Sequence, residues 1–160
     1  MTAMTDADLL ALYERTVDEL YRYASRLTGG DATSADELVQ ETYLGLLRKI
    51  RAGHQEAVDV GWLIVSCRHR YLDQLKRDAR GRARELRAIG RPGTEDGGGR
   101  AVDALADVPA DQRAVLVFRY VDEMTVSEVA QAMGRTVHAT ESLLARARTT
   151  LRSILTQGVQ

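Results

Sequence analysis

The stretch 125-TVSEVAQAMGRTVHATESLLARARTTL-151 decides the fold. Thr125-Val126-Ser127-Glu128 has the form of a capping box, in which a threonine oxygen accepts the N3 amide and the glutamate reaches back to the N-cap amide. Behind it Val126, Val129, Ala130 and Met133 stand at i, i+3, i+4 and i+7, one apolar face of a short helix. Gly134-Arg135-Thr136 turns the chain, and a second amphipathic helix is expected from Val137 to about Leu155. Such a pair reads as a helix-turn-helix, whose second helix would offer its N-terminal residues to base edges in the major groove. Against that stand Glu141 and His138 on the face that a DNA reader fills with Lys and Arg. Small helical bundles also contain hairpins of this size.

Upstream, Pro109 sits near a helix start, where its missing amide costs nothing. The helix 110-ADQRAVLVFRYVD-122 should bury Val115 or Leu116, Phe118, and Tyr120 or Val121. Before it, 90-GRPGTEDGGGR-100 holds five glycines and no large apolar side chain, so it reads as a flexible tether. The N-terminal half carries three more helices. The first repeats Leu9, Tyr13, Val17, Leu20, Ala24 and Leu27 on one face and ends at Gly29-Gly30. The second opens on a capping box at Ser34–Glu37, runs to about Arg51 and carries the stripe Ala35, Leu38, Val39, Thr42, Leu46, Ile50. After a loop at 52–60, the third begins near Gly61-Trp62 and buries Leu63 or Ile64, Cys67, Tyr71 and Leu75. It should stay helical to about Ile89, since 82-RARELRAI-89 is made of strong helix formers. With no strand pattern of useful length, the expected fold is all-α. Two small helical domains, 6–89 and 105–157, would be joined by a flexible linker at 90–104.

Composition narrows the function classes. No apolar run approaches the roughly 18–20 residues of a membrane span, and the N-terminus is acidic where a signal peptide would be basic, so a cytoplasmic location is expected. The single cysteine, Cys67, fits a reducing compartment. The net charge of −1 hides an asymmetry: residues 1–67 hold six Lys/Arg against eleven Asp/Glu, residues 68–91 nine against three, and residues 92–160 seven against nine. One basic block in a near-neutral chain is a local anion-binding surface rather than a general polyanion binder.

That block, with Trp62 and Tyr71 beside it, suits single-stranded or melted DNA, because cations neutralise phosphates while rings stack on unpaired bases. The bland readings are a solvated helix face and a core tryptophan. The acidic helix displaying Asp36, Glu37, Gln40 and Glu41 is either a solubilising face or a dock for a basic partner. Nothing points to an enzyme, a cofactor or a metal. Cys67 and His69 project roughly 200° apart on a helix and cannot chelate one ion, and His54 and His138 have no carboxylate at ligand spacing.

Taken together, 36-DELVQETYLGLLRKI-50 and 62-WLIVSCRHRYLDQLKR-77 resemble region 2 of bacterial extracytoplasmic-function (ECF) sigma factors of the sigma-70 family. The runs 108-VPADQRAVLVFRYVDEMTVSEVAQAMG-134 and 144-LARARTTLR-152 resemble region 4. The resemblance implies a subunit that binds core RNA polymerase through its clamp and flap and directs promoter-specific initiation. It places Asp36, Leu38, Val39, Gln40 and Glu41 in the clamp-binding motif, and the loop 52–60 in the pocket for a flipped minus-10 base. Minus-10 contacts would fall to Trp62, Arg68, His69, Arg70, Asp73, Lys76 and Arg77. Minus-35 contacts would fall to Arg119, His138, Glu141, Ser142, Ala145, Arg146 and Arg148. The family commonly has Lys or Arg at the position of Glu141 and often Arg at that of Leu143, so a changed minus-35 preference and a weaker electrostatic grip are expected; in region 2 its common Asn is replaced by His69. With no extension after region 4, regulation is expected from a separate anti-sigma factor, which the tether would let wrap both domains.

Two other readings stay open at this point. A stand-alone helix-turn-helix regulator would bind duplex DNA tightly by itself. A polymerase-binding protein that has lost promoter reading would keep the acidic helix, and Glu141 and Leu143 speak for it.

Overall fold

A computed structural model describes residues 3–54, 57–82 and 104–158. Helices α1 (Asp6–Leu27), α2 (Ala32–Arg51) and α3 (Val60–Arg82) build one compact unit. The second holds α4 (Ala110–Leu116), which continues as a five-residue π-helix (Val117–Val121), then α5 (Val126–Met133) and α6 (Val137–Gln157). Residues 26–31, at the end of α1, belong to the second unit. The all-α expectation holds. The continuation of α3 to Ile89 and the tether at 90–100 lie outside the described residues. No helix among the described residues is long and apolar enough to cross a membrane.

In the first unit, α1 starts on a reciprocal cap that the sequence reading passed over. The Thr5 amide and hydroxyl donate to the Asp8 carboxylate (2.9 and 2.7 Å), and the Asp8 amide donates to the Thr5 hydroxyl oxygen (3.2 Å). The inward face of α1 is Leu12, Thr16, Leu20, Tyr23, Ala24 and Leu27, while Leu9 and Val17 are only half-buried and Tyr13 is exposed. The expected stripe was therefore right in its second half and one position off in its first. Thr16 explains the offset: its hydroxyl is satisfied by the Leu12 carbonyl (2.6 Å) and meets the Tyr43 hydroxyl (2.7 Å), so a polar residue takes a core position.

Gly29 and Gly30 both have positive φ, +67° and +81°, and end α1 as expected. The second helix departs from expectation. It begins at Ala32, so Ser34 lies inside it and the Ser34–Glu37 box is not its cap. Of its expected stripe Ala35, Leu38, Val39, Thr42 and Leu46 are buried, and Ile50 is half-buried. Asp59, read as loop, caps α3 by accepting the Trp62 amide at 2.8 Å. From α3, Leu63, Cys67, Tyr71 and Leu72 enter the core, while Leu75, expected there, is half-buried.

In the second unit both halves of the Thr125–Glu128 box are made, the Thr125 amide to Glu128 Oε2 at 2.8 Å and the Glu128 amide to Thr125 Oγ1 at 3.2 Å. Gly134 closes α5 in the left-handed region (φ +63°), and Thr136 caps α6 through the Ala139 amide. Pro109 stands at the N-cap of α4. The π-turn is the feature that helical periodicity misses. Its Asp122 amide bonds to the Val117 carbonyl at 3.0 Å, one residue wider than an α-turn. Val115, Leu116, Val117 and Phe118 are all buried, whereas Tyr120 and Val121 are exposed, against the expectation that one of them is buried.

Candidate nucleic-acid and polymerase interfaces

In the first unit the outer face of α2 carries Asp36, Glu37, Gln40 and Glu41 exposed, so this acidic surface is available to a partner. Leu38 and Val39, expected in the same contact set, are buried and hold the helix down instead. Leu44 is an apolar side chain on the same outer face. It is 44% exposed, four residues after Gln40 and three after Glu41, in the middle of the acidic face. The sequence held that signal, since Leu44 falls outside the Ala35–Leu46 stripe.

Helix α3 sorts its basic and polar residues by face. His69, Asp73, Lys76 and Arg77 are exposed, and Trp62, half-buried, opens the same side at helical spacing. The Trp62 ring carries Lys49 of α2 at 5.1 Å from its centroid, a cation over a partly open π face. Arg68 turns away, its Nε donating to the Tyr23 hydroxyl at 3.3 Å. Arg70 leans back on α2, 3.8 Å from the Glu41 carboxylate and over Gly45. Tyr71, considered above as a stacking ring, is buried in the core and cannot serve. The surface suited to melted DNA is therefore narrower than the charge count suggests: Trp62 and its lysine at one end, Lys76 and Arg77 at the other.

In the second unit α6 divides cleanly. Thr140, Leu143, Leu144 and Ala147 are buried, and His138, Glu141, Ser142, Ala145, Arg146 and Arg148 are exposed. Leu143, at 0% exposure, is core. Its difference from a basic residue therefore concerns no exposed group, whereas Glu141 and His138 both face solvent. Arg119 is half-buried, with its Nη1 donating to the Met124 carbonyl at 3.3 Å. Tyr120, not singled out as a site residue from the sequence, gathers two cations. The Arg119 and Arg148 guanidinium carbons each lie 5.9 Å from its ring centroid, and Arg148 Nε donates to its hydroxyl at 2.7 Å.

Beside that cluster an open apolar groove of about 840 Å³ runs between α4 and the C-terminal half of α6. Leu116, Val117, Val121, Leu151 and Leu155 line it, with Arg148 and Arg152 among its walls. Among the described residues no three His, Cys, Asp or Glu side chains gather as metal ligands would.

Comparison with known proteins bears on both units. Residues 12–81 match the family model for Sigma-70 region 2, and residues 99–151 match that for Sigma-70, region 4. The chain is 31% identical over 144 residues to the ECF RNA polymerase sigma factor SigL of Mycobacterium tuberculosis, covering 82% of this chain and 80% of SigL. It is 28% identical over 156 residues to the ECF RNA polymerase sigma factor BldN of Streptomyces coelicolor, where 90% of this chain spans 59% of BldN. Among solved structures, the sigma factor RpoE in complex with the anti-sigma factor NepR from Bartonella quintana matches at 19% identity and TM-score 0.58, over 93% of this chain and 97% of that one. CnrH in complex with the cytosolic domain of CnrY matches at 23% identity and TM-score 0.52, over 96% and 90% of the two chains. These two show the fold alone. The relatives, the two family models and their order along the sequence agree, and the chain belongs to the ECF RNA polymerase sigma factors.

Proposed function

We propose that this protein binds core RNA polymerase and directs promoter-specific initiation, the first unit engaging the clamp and the melted minus-10 element and the second the minus-35 element. The observation that carries the reading is the division of α6. Its interior holds the helix-turn-helix together, and every side chain expected to meet bases or phosphates on it faces solvent. The contacts are non-covalent. Asp36, Gln40, Glu41 and Leu44 meet the clamp. Trp62, His69, Asp73, Lys76 and Arg77 follow the unpaired strand, with Arg68 and Arg70 behind them. Arg146 and Arg148 hold phosphates while Glu141 faces a base edge. A carboxylate there accepts from cytosine N4 and repels phosphate, so specificity shifts and grip weakens. Polymerase offsets this weakness by presenting both units at once, which raises the effective concentration of each DNA contact.

Burial of Leu143 removes half of the case for a protein that has lost promoter reading. A stand-alone regulator is disfavoured by charge, since residues 92–160 hold seven cations against nine carboxylates. As in the RpoE complex with NepR, an anti-sigma factor is the proposed regulator. The groove beside α6 suits an amphipathic helix with an acidic edge, given its apolar floor and its two arginines.

Capture of fragmented genomic DNA tests the assignment. Core polymerase with this protein should enrich fragments sharing two spaced elements, and the protein alone should enrich none. Equal enrichment without polymerase overturns the proposal in favour of the stand-alone regulator.

A further inference from the structure

Helices α2 and α3 touch at the point where the two proposed ligands converge. Glu41 belongs to the acidic face given to polymerase, and Arg70 to the basic helix given to melted DNA, yet their charged groups lie 3.8 Å apart. Arg70 reaches that position across Gly45, one turn beyond Glu41, where an added Cβ would fall on the guanidinium. Glycine inside a 20-residue helix is otherwise unfavourable. Gly45 is not among the glycines with positive φ, so backbone freedom does not explain it. What remains is the room that it leaves for Arg70.

We infer that Gly45 is a positioning residue: its missing side chain seats Arg70 on α2, where the guanidinium occupies Glu41 until polymerase takes that carboxylate. The inference rests on the proposed function, because it assigns polymerase to α2 and DNA to α3. Its consequence is coupling. A clamp cation that claims Glu41 leaves Arg70 without its partner and open to a phosphate. DNA that claims Arg70 frees Glu41 for the clamp. Each ligand breaks the same ion pair, so the first to bind makes the second more favourable, and the effect is reciprocal. Both side chains are partly exposed, 34% for Arg70 and 54% for Glu41, which keeps the coupling small.

The test measures binding of the fluorescently labelled full chain to core polymerase at fixed ionic strength, beside its thermal melt. Gly45→Ala removes the seat without altering a charge. It should tighten binding by about 1.5- to 5-fold, the range for an exposed ion pair, while the melting temperature stays level or rises with helix propensity. Arg70→Met should tighten binding to the same degree. Adding Gly45→Ala to Glu41→Gln should give no gain over Glu41→Gln alone. Wild-type protein that fails to bind core polymerase overturns the proposed function and this inference with it. Wild-type binding that is unchanged or weakened by both Gly45→Ala and Arg70→Met overturns the inference alone. A lowered melt in Gly45→Ala without tighter binding makes the contact merely structural.

Discussion

Two residues apart on α6, Glu141 and Leu143 should answer substitution in opposite ways. Leu143 is fully buried where α6 packs on the rest of its unit, and Glu141 is exposed on the other side. Leu143→Ala removes apolar surface and leaves a cavity, a change that costs about 2–5 kcal/mol in a close-packed core. For a domain of this size each kcal/mol moves the midpoint by about 4–8 °C, so the transition of the second unit should fall by at least about 8 °C. Glu141→Ala touches no core and should stay within about 0.5 kcal/mol. The assay is circular dichroism at 222 nm on the full chain, fitted for two transitions because the units need not melt together. A Leu143→Ala shift no larger than that of Glu141→Ala would refute the burial argument. It would also return residue 143 to the DNA-facing surface.

Thr125→Ala removes the hydroxyl half of a box whose two bonds are both made, and should cost about 1 kcal/mol in urea unfolding; no change would mean that the box is ornamental. Arg146→Ala should leave the melt intact and weaken promoter binding by the holoenzyme, lowering the slope of log K against log salt by about 0.9 for one lost phosphate contact; an unaltered slope would remove Arg146 from the phosphate set. Burial, with a smaller push from Tyr13, outweighs the Thr16 hydrogen bond and raises the Tyr43 phenol above its ordinary 10.0. The folded state then holds this proton more tightly than the unfolded one, so the contribution is complete below about pH 10 and is lost as pH climbs through the raised value. Tyr43→Phe should flatten the alkaline fall in stability of the first unit, and an unchanged profile would exclude Tyr43 as its source.

The sequence disclosed what local chemistry decides. The Thr125–Glu128 box, the Gly134 turn and the Gly29-Gly30 stop are short-range devices and stood where expected. Ser34–Glu37 has the spacing of a box but lies inside a helix that has already begun at Ala32, just after the Gly29-Gly30 turn. The inner face of α1 shifted because Thr16 found a tyrosine hydroxyl 27 residues away, which no periodicity reports. The π-turn at Val117–Val121 is not visible in helical periodicity, and the expectation that Tyr120 or Val121 is buried failed for both. In the candidate sites, the spacing that displays Asp36, Gln40, Glu41 and Arg146 was readable. The seats of Arg68 on Tyr23 and of Arg70 on Gly45 were not, since long flexible side chains choose partners across helices.

The measurement that bears most directly on the account is run-off transcription with purified core polymerase on a fragmented genomic library, with and without this protein, sequencing the new transcript starts. The account predicts new starts preceded by two spaced elements, with the upstream element altered by Glu141→Lys. Retained binding to core polymerase with no new starts would contradict it, and would leave a protein that occupies polymerase without opening promoters.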